Sequence, residues 1–219
     1  MESLNDLFNI DNKLIFKILS EDLDEDSLKY LSTQRCLAID TEAMGLVHGR
    51  DRLCLIQICD NEDNVICITI NKHQKESPKL KKIMENPLIE KVFHFARFDV
   101  AALKSNLNIE VKSIFCTKVA SKIGRSYSPR HGLKEVILDL IGIELDKHSQ
   151  SSDWGNQDNL SEKQLEYAAN DVLYLLTAKS KLKEILLRED RWEIAKRSFE
   201  CIPVISELDR LRFNNIFEH

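Results

Sequence analysis

Short apolar runs separated by turn formers dominate the first half of the chain, and helical spacing dominates the second. Cys36 to Asp40, Leu53 to Cys59 and Val65 to Ile70 are short and rich in β-branched residues, with Asn61, Asp63 and Asn64 between the last two. They read as a strand meander. Lys13 to Ile18 reads as an earlier strand, and the acidic stretch Glu21 to Asp26 leads into a short helix near Ser27 to Leu31. Ser77-Pro78 opens a helix, with Ser as cap and Pro at the first helical position, and Asn86-Pro87 stops it. Val92 to Phe95 is a strand, Arg97 to Leu107 a helix with Phe98, Ala101, Ala102 and Leu107 inward, and Ile114 to Cys116 a short strand. Leu133 to Ile141 forms a helix closed by Gly142. Ser161-Glu162-Lys163-Gln164 is a capping-box pattern, with Leu160 and Leu165 at staple positions. The stripe Leu165, Ala168, Ala169, Val172 and Leu176 carries that helix toward Arg188. Arg191 to Cys201 is a further helix, broken by Pro203 before a last short one. Strands followed by alternating helices and strands predict an α/β domain, a mixed central sheet flanked by helices.

Composition narrows this little. The 219 residues are 43% hydrophobic and 31% charged, which suits one globular domain. The net charge of -5 leaves room only for a local basic face, so a nucleic-acid substrate would be short. The six cysteines form no C-x-x-C and no zinc spacing; most lie among apolar residues and read as free core thiols in a reducing compartment. The acidic start has no signal-peptide pattern, and no apolar run approaches a membrane span, so the expected location is the cytoplasm.

The chemistry lies in three acidic motifs. In Ala38-Ile39-Asp40-Thr41-Glu42, two acids sit two apart at a strand end, so both carboxylates face one side and repel unless a cation lies between them. Asp99 falls in the first turn of a helix that follows a strand, a place where an acid also compensates the helix dipole. Tyr167 and Asp171 are four apart on a helix, one turn from each other beside the apolar stripe. Each motif alone fits an ordinary turn, helix start or amphipathic rim.

Together, in this order, they resemble the DEDDy 3′–5′ exonucleases. The words Ile39-Asp40-Thr41-Glu42, His94-Phe95-Ala96-Arg97-Phe98-Asp99 and Tyr167-Ala168-Ala169-Asn170-Asp171 are similar to ribonuclease D relatives. Asp51-Arg52-Leu53-Cys54, Cys116 to Ser121, Tyr127 to Lys134, Gln150 to Trp154 and the tail Ile216 to His219 resemble the nano-RNase C (NrnC) branch more closely. The resemblance covers Leu37 to the end. It implies an RNase H-like exonuclease fold over residues 1–219, with an N-terminal extension (1–35), a catalytic core (36–188), C-terminal helices (189–219) and no HRDC-type module. It also implies hydrolysis of very short RNA, dinucleotides such as pGpG, and a homo-octamer.

The family pattern assigns two divalent ions, Mg²⁺ or Mn²⁺, to hard carboxylate oxygens. Asp40 bridges them, Glu42 and Asp171 complete one site, Asp99 reaches the second, and Tyr167 orients the attacking water. Leu46 would wedge between the two bases, presented by Gly45. Thr41 joins it as a substrate-binding residue. Arg125, Arg130 and His131 are suitable donors to a 5′-phosphate, with Lys118 and Arg97 behind them. Trp154, in a polar loop, could stack a base or meet another subunit. His48, His73 and His148 read as surface residues, His94 as a core histidine and Trp192 as helix packing. The same chemistry on longer RNA or on DNA ends, or a non-catalytic nucleic-acid-binding relative, would be the alternatives.

Overall fold

The structure, a computed structural model, describes residues 16–145, 153–156, 160–213 and 216. The beginning of the first expected strand, His148, Gln150 to Ser152 and the tail beyond Ile216 lie outside the described residues.

Six strands form one mixed sheet in the order β1-β4-β3-β2-β5-β6. They are β1 (Phe16–Ser20), β2 (Cys36–Ala43), β3 (Leu53–Cys59), β4 (Val65–Thr69), β5 (Glu90–Phe93) and β6 (Ile114–Cys116). β2, β3 and β4 form the expected antiparallel meander, while β1 adds parallel to β4, and β5 and β6 add parallel beyond β2. Every residue of β3 and β4 is buried, which explains their unbroken apolar character. Helices α1 (Glu25–Leu31), α2 (Pro78–Met84) and α3 (Ala96–Leu107) come early in the chain, and α4 (Thr117–Gly124), α5 (Leu133–Ile141), α6 (Glu162–Leu173) and α7 (Leu175–Arg188) follow β6. The last two are α8 (Trp192–Glu200) and α9 (Ile202–Arg210). Among the described residues, no helix is long and apolar enough to cross a membrane.

Three details differ from the pattern read in the sequence. The chain leaves β5 at Phe93, and Phe95 caps α3 in the left-handed region (φ 70°, ψ 43°) instead of ending the strand. α4 escapes sequence reading because Thr117 to Gly124 follows β6 without a break or a capping side chain. The single long helix expected from Ser161 is two, parted at Tyr174, although the capping box at Ser161 is formed in both directions. Pro203 lies in the first turn of α9, where its missing N–H loses no bond.

The topology positions the site. β2 pairs with β5 only through Cys36, Leu37 and Ala38, while its pairing with β3 runs on to Ala43. The second half of β2 therefore projects past the end of β5, where the chain turns into α3. A register shift between Glu42 and Ala43 ends the regular ladder directly after the acid pair.

Candidate active site

Asp40 and Glu42 share one face of β2, and α6 crosses β2 and β3 to bring Asp171 against them. One carboxylate oxygen from each of Asp40, Glu42 and Asp171 lies within 4.8 Å of the others. Asp99, buried in the first turn of α3, stands just outside this cluster and accepts a hydrogen bond from the Thr41 hydroxyl at 2.7 Å. Thr41 is thus buried and turned toward Asp99, which makes it a tie between β2 and α3. Tyr167 stands one turn before Asp171 on α6, close enough that each shifts the other's titration.

The electrostatics are those of crowded acids, with the Lys134 charge acting on Asp171. Burial, then Asp99, Asp171 and Glu42, hold the Asp40 carboxyl well above the usual carboxylate range. Burial and the neighbouring Asp171 and Asp99 push Glu42 up to about 9. Burial raises Asp99 to about 7 against the opposing Thr41 bond, and raises Asp171 to about 6 against Tyr167 and Lys134. Burial and the Asp171 charge raise the Tyr167 phenol further above its ordinary 10.0. A divalent cation among these oxygens would relieve the repulsion, and a set of hard carboxylate donors fits Mg²⁺ or Mn²⁺.

A cleft of about 570 Å³ is lined by Leu46, Val47, His48, Phe95, Arg97, Phe98, Asp209 and Arg212, and so includes two residues of the α3 turn that carries Asp99. Leu46 is 80% exposed, on a loop fastened by the Val47 amide donating to Asp51 at 2.9 Å. A Cβ on Gly45 would stand 2.3 Å from an Asp51 carboxylate oxygen, so glycine here permits the loop's closure onto Asp51. Phe98, expected inward, instead lines this cleft with its ring 5.2 Å from His48, which is half-buried. Arg97 is occupied by a two-pronged ion pair with Asp209 of α9.

Two expected substrate contacts are corrected. Arg125 is 0% exposed, and its guanidinium is held by Ser121 Oγ at 2.8 Å, the Arg130 carbonyl and Asp139, so it braces α4 against α5 instead of meeting solvent. Trp154 is 2% exposed and packs in the core with its ring 6.3 Å from Tyr167, so it backs the tyrosine and offers no open stacking face. Arg130 is exposed, and His131 is half-buried with Nδ1 2.9 Å from Ser121 Oγ. His94 lies with Nδ1 2.8 Å from the Thr117 hydroxyl, as a core histidine would.

Two residues gain importance only in three dimensions. Phe95 is 43% exposed, with the Lys118 ammonium 4.2 Å over its ring. Lys134 exerts its charge on Asp171 from the start of α5. In sequence Phe95 read as the end of a strand, and Lys134 as the helix residue after Leu133.

Comparison with known proteins places the chain among exonucleases. The DNA_pol_A_exo1 family, described as 3′–5′ exonuclease, matches residues 15–187. Brucella melitensis NrnC is 40% identical, with a TM-score of 0.87 over 94% of this chain and 99% of that one. That protein is also known with bound Mg²⁺ and bound to pGG. DNA polymerase I of Aquifex aeolicus is 35% identical over 160 residues, 73% of this chain and 26% of that protein. Ribonuclease D of Gluconacetobacter diazotrophicus is 32% identical over 155 residues, 71% and 39% of the two chains. The chain spans less than half the length of these two curated relatives.

Proposed function

The chain belongs to the 3′–5′ exonuclease family, in its NrnC-like branch beside ribonuclease D, and from that premise we propose that it hydrolyses very short RNA, ending on dinucleotides such as pGpG, to 5′-mononucleotides. The observation that carries this reading is the clustering of Asp40, Glu42 and Asp171, one carboxylate oxygen of each within 4.8 Å of the others; a separate cleft walled by Leu46 and Phe95 offers room for bases.

Asp40, Glu42, Asp99 and Asp171 would hold two divalent ions, Mg²⁺ or Mn²⁺. When bound, the ions supply a water that ionises near neutral pH and charge to offset the developing negative oxygen. Tyr167 stays protonated at neutral pH, so it orients the attacking water by hydrogen bonding and does not take its proton. Thr41 fixes the orientation of Asp99. Leu46 enters between the two bases, and Phe95 offers a face on which one of them stacks. Arg130, His131 and Lys118 receive the 5′-phosphate; a terminal phosphate held there limits the substrate's length.

Self-association as a homo-octamer is part of the same reading. Leu138, Leu187, Ile194 and Val204 are exposed apolar side chains on α5, α7, α8 and α9, suited to contacts between copies. A native mass measurement decides it: an octamer's mass is expected, and a monomer's would overturn the assembly.

The likeness to ribonuclease D and DNA polymerase I keeps a second reading in view, the same chemistry on longer RNA or DNA ends. Digestion of labelled RNA and DNA of two, three and more nucleotides separates them. A rate peaking on two-nucleotide RNA is expected, and equal rates at all lengths would sink the dinucleotide assignment. Asp40→Asn should lower the rate by on the order of 10²-fold or more with the fold intact.

A further inference from the structure

Cys36 and Glu90, the first residues of β2 and β5, are register partners on the parallel pair, and Lys179 of α7 reaches across both. The Lys179 ammonium lies 3.1 Å from Cys36 Sγ and forms an ion pair with Glu90, whose carboxylate is 3.8 Å from the same sulfur. The Phe115 ring lies 5.9 Å from the ammonium. The three groups are half-buried, open enough for a small oxidant and enclosed enough to keep their arrangement. They lie at the opposite end of β2 from Glu42, so the site already described makes no use of them. Of the other cysteines, Cys54, Cys59, Cys67 and Cys116 are buried and Cys201 is exposed.

We propose that Cys36 and Lys179 form an oxidative modification site, in which dioxygen links thiol and amine through a single oxygen atom as an S–O–N bridge. The separation favours this product. One intervening oxygen nearly spans 3.1 Å, whereas a direct S–N bond would need the two atoms to close much further. Glu90 takes the proton that the Lys179 ammonium must lose to react. The S–H bond, one N–H bond and the O–O bond break, and S–O and O–N bonds form. The second oxygen atom leaves as water with the two released hydrogens. Sulfur and nitrogen together give up four electrons, which dioxygen accepts. Excess dithiol reverses the change to thiol, amine and water. The bridge joins residues 143 apart in sequence, so it restricts the unfolded chain strongly and holds the start of β2 against α7.

The full chain is prepared in air-saturated buffer and in dithiol, proteolysed without reduction and analysed by mass spectrometry. The expected product is a joined Cys36–Lys179 peptide heavier than the sum of its parts by one oxygen less two hydrogens, absent after dithiol. The oxidised protein should melt at a higher temperature than the reduced one. Cys36→Ser and Lys179→Arg, the latter keeping the charge opposite Glu90, should lose both the joined peptide and the shift. A sulfenic or sulfinic Cys36 beside unmodified Lys179, a joined peptide lacking the oxygen, or both residues unmodified after air exposure would each overturn the proposal. The wild-type mass readout holds even if a variant fails to fold.

Discussion

Phe95 and Gln57 are two residues that the fold keeps at a cost. Phe95 adopts the left-handed backbone conformation without a capping side chain, which costs a side-chain-bearing residue about 1–2 kcal/mol. A ring presented to the cleft gives that strain a use. Phe95→Ala keeps the strain and loses the ring, whereas Phe95→Gly removes both. The glycine variant should therefore be the more stable of the two by about 1 kcal/mol, measured by thermal melting. Both should raise KM for a dinucleotide more than they lower kcat; unchanged KM would deny Phe95 a part in binding. Gln57 is fully buried opposite Asp40 on β3, and neither polar atom of its side-chain amide has a hydrogen-bond partner among the described residues. Gln57→Leu should stabilise the metal-free protein by about 1 kcal/mol. A lowered Tm would mean that the amide is satisfied in solution. Neither residue was legible as special in sequence, because a backbone angle and a missing partner are properties of the folded chain.

At the scale of elements, the strands and most helices follow from local pattern, and α6 shows why. Ser161 and Gln164 cap each other's backbone groups at its start, and Leu165, Ala168, Ala169 and Val172 bury its stripe. The same helix presents Tyr167 and Asp171 to the acids of β2. Ser161→Ala should cost about 1 kcal/mol, which lowers Tm by roughly 2–4 °C in a protein of this size. The measurement is a thermal melt beside a rate assay; a full loss of folding would show that the cap does more than close a helix. The break at Tyr174 was not legible, since Leu175 and Leu176 continue the apolar pattern across it. α9 is likewise known as a helix from its sequence. Its attachment to the start of α3, through Arg97 with Asp209 and through the Ser206 hydroxyl donating to the Arg97 carbonyl at 3.0 Å, is purely tertiary.

The whole molecule holds its acids together against their repulsion, and this sets its response to pH. In the fold Glu42 keeps its proton up to about 9, against an ordinary 4.5, and Asp171 up to about 6, against 3.8. Between those values the folded chain binds more protons than the unfolded one, so stability falls as pH rises. The metal-free protein should show a Tm that declines from near 4.5 toward about 9 for the Glu42 contribution. Added Mg²⁺ or Mn²⁺ should restore it, most at the alkaline end, where fewer protons must be displaced. A Tm that climbs over this range without metal would contradict the crowding of carboxylates.

The sequence by itself determined the strand meander, the helix starts at Ser77 and Ser161, and the candidacy of Asp40, Glu42, Asp99, Tyr167 and Asp171. These features are written in local spacing and in the order of short motifs. The tertiary structure alone decided that three of the acids meet within 4.8 Å while Asp99 stands beside them through Thr41. It turned Arg125 and Trp154 inward and Phe95 outward. A side chain's type is local, but whether it faces water, a partner or a cleft depends on elements far away in the chain. The packing of those elements leaves no local pattern to read.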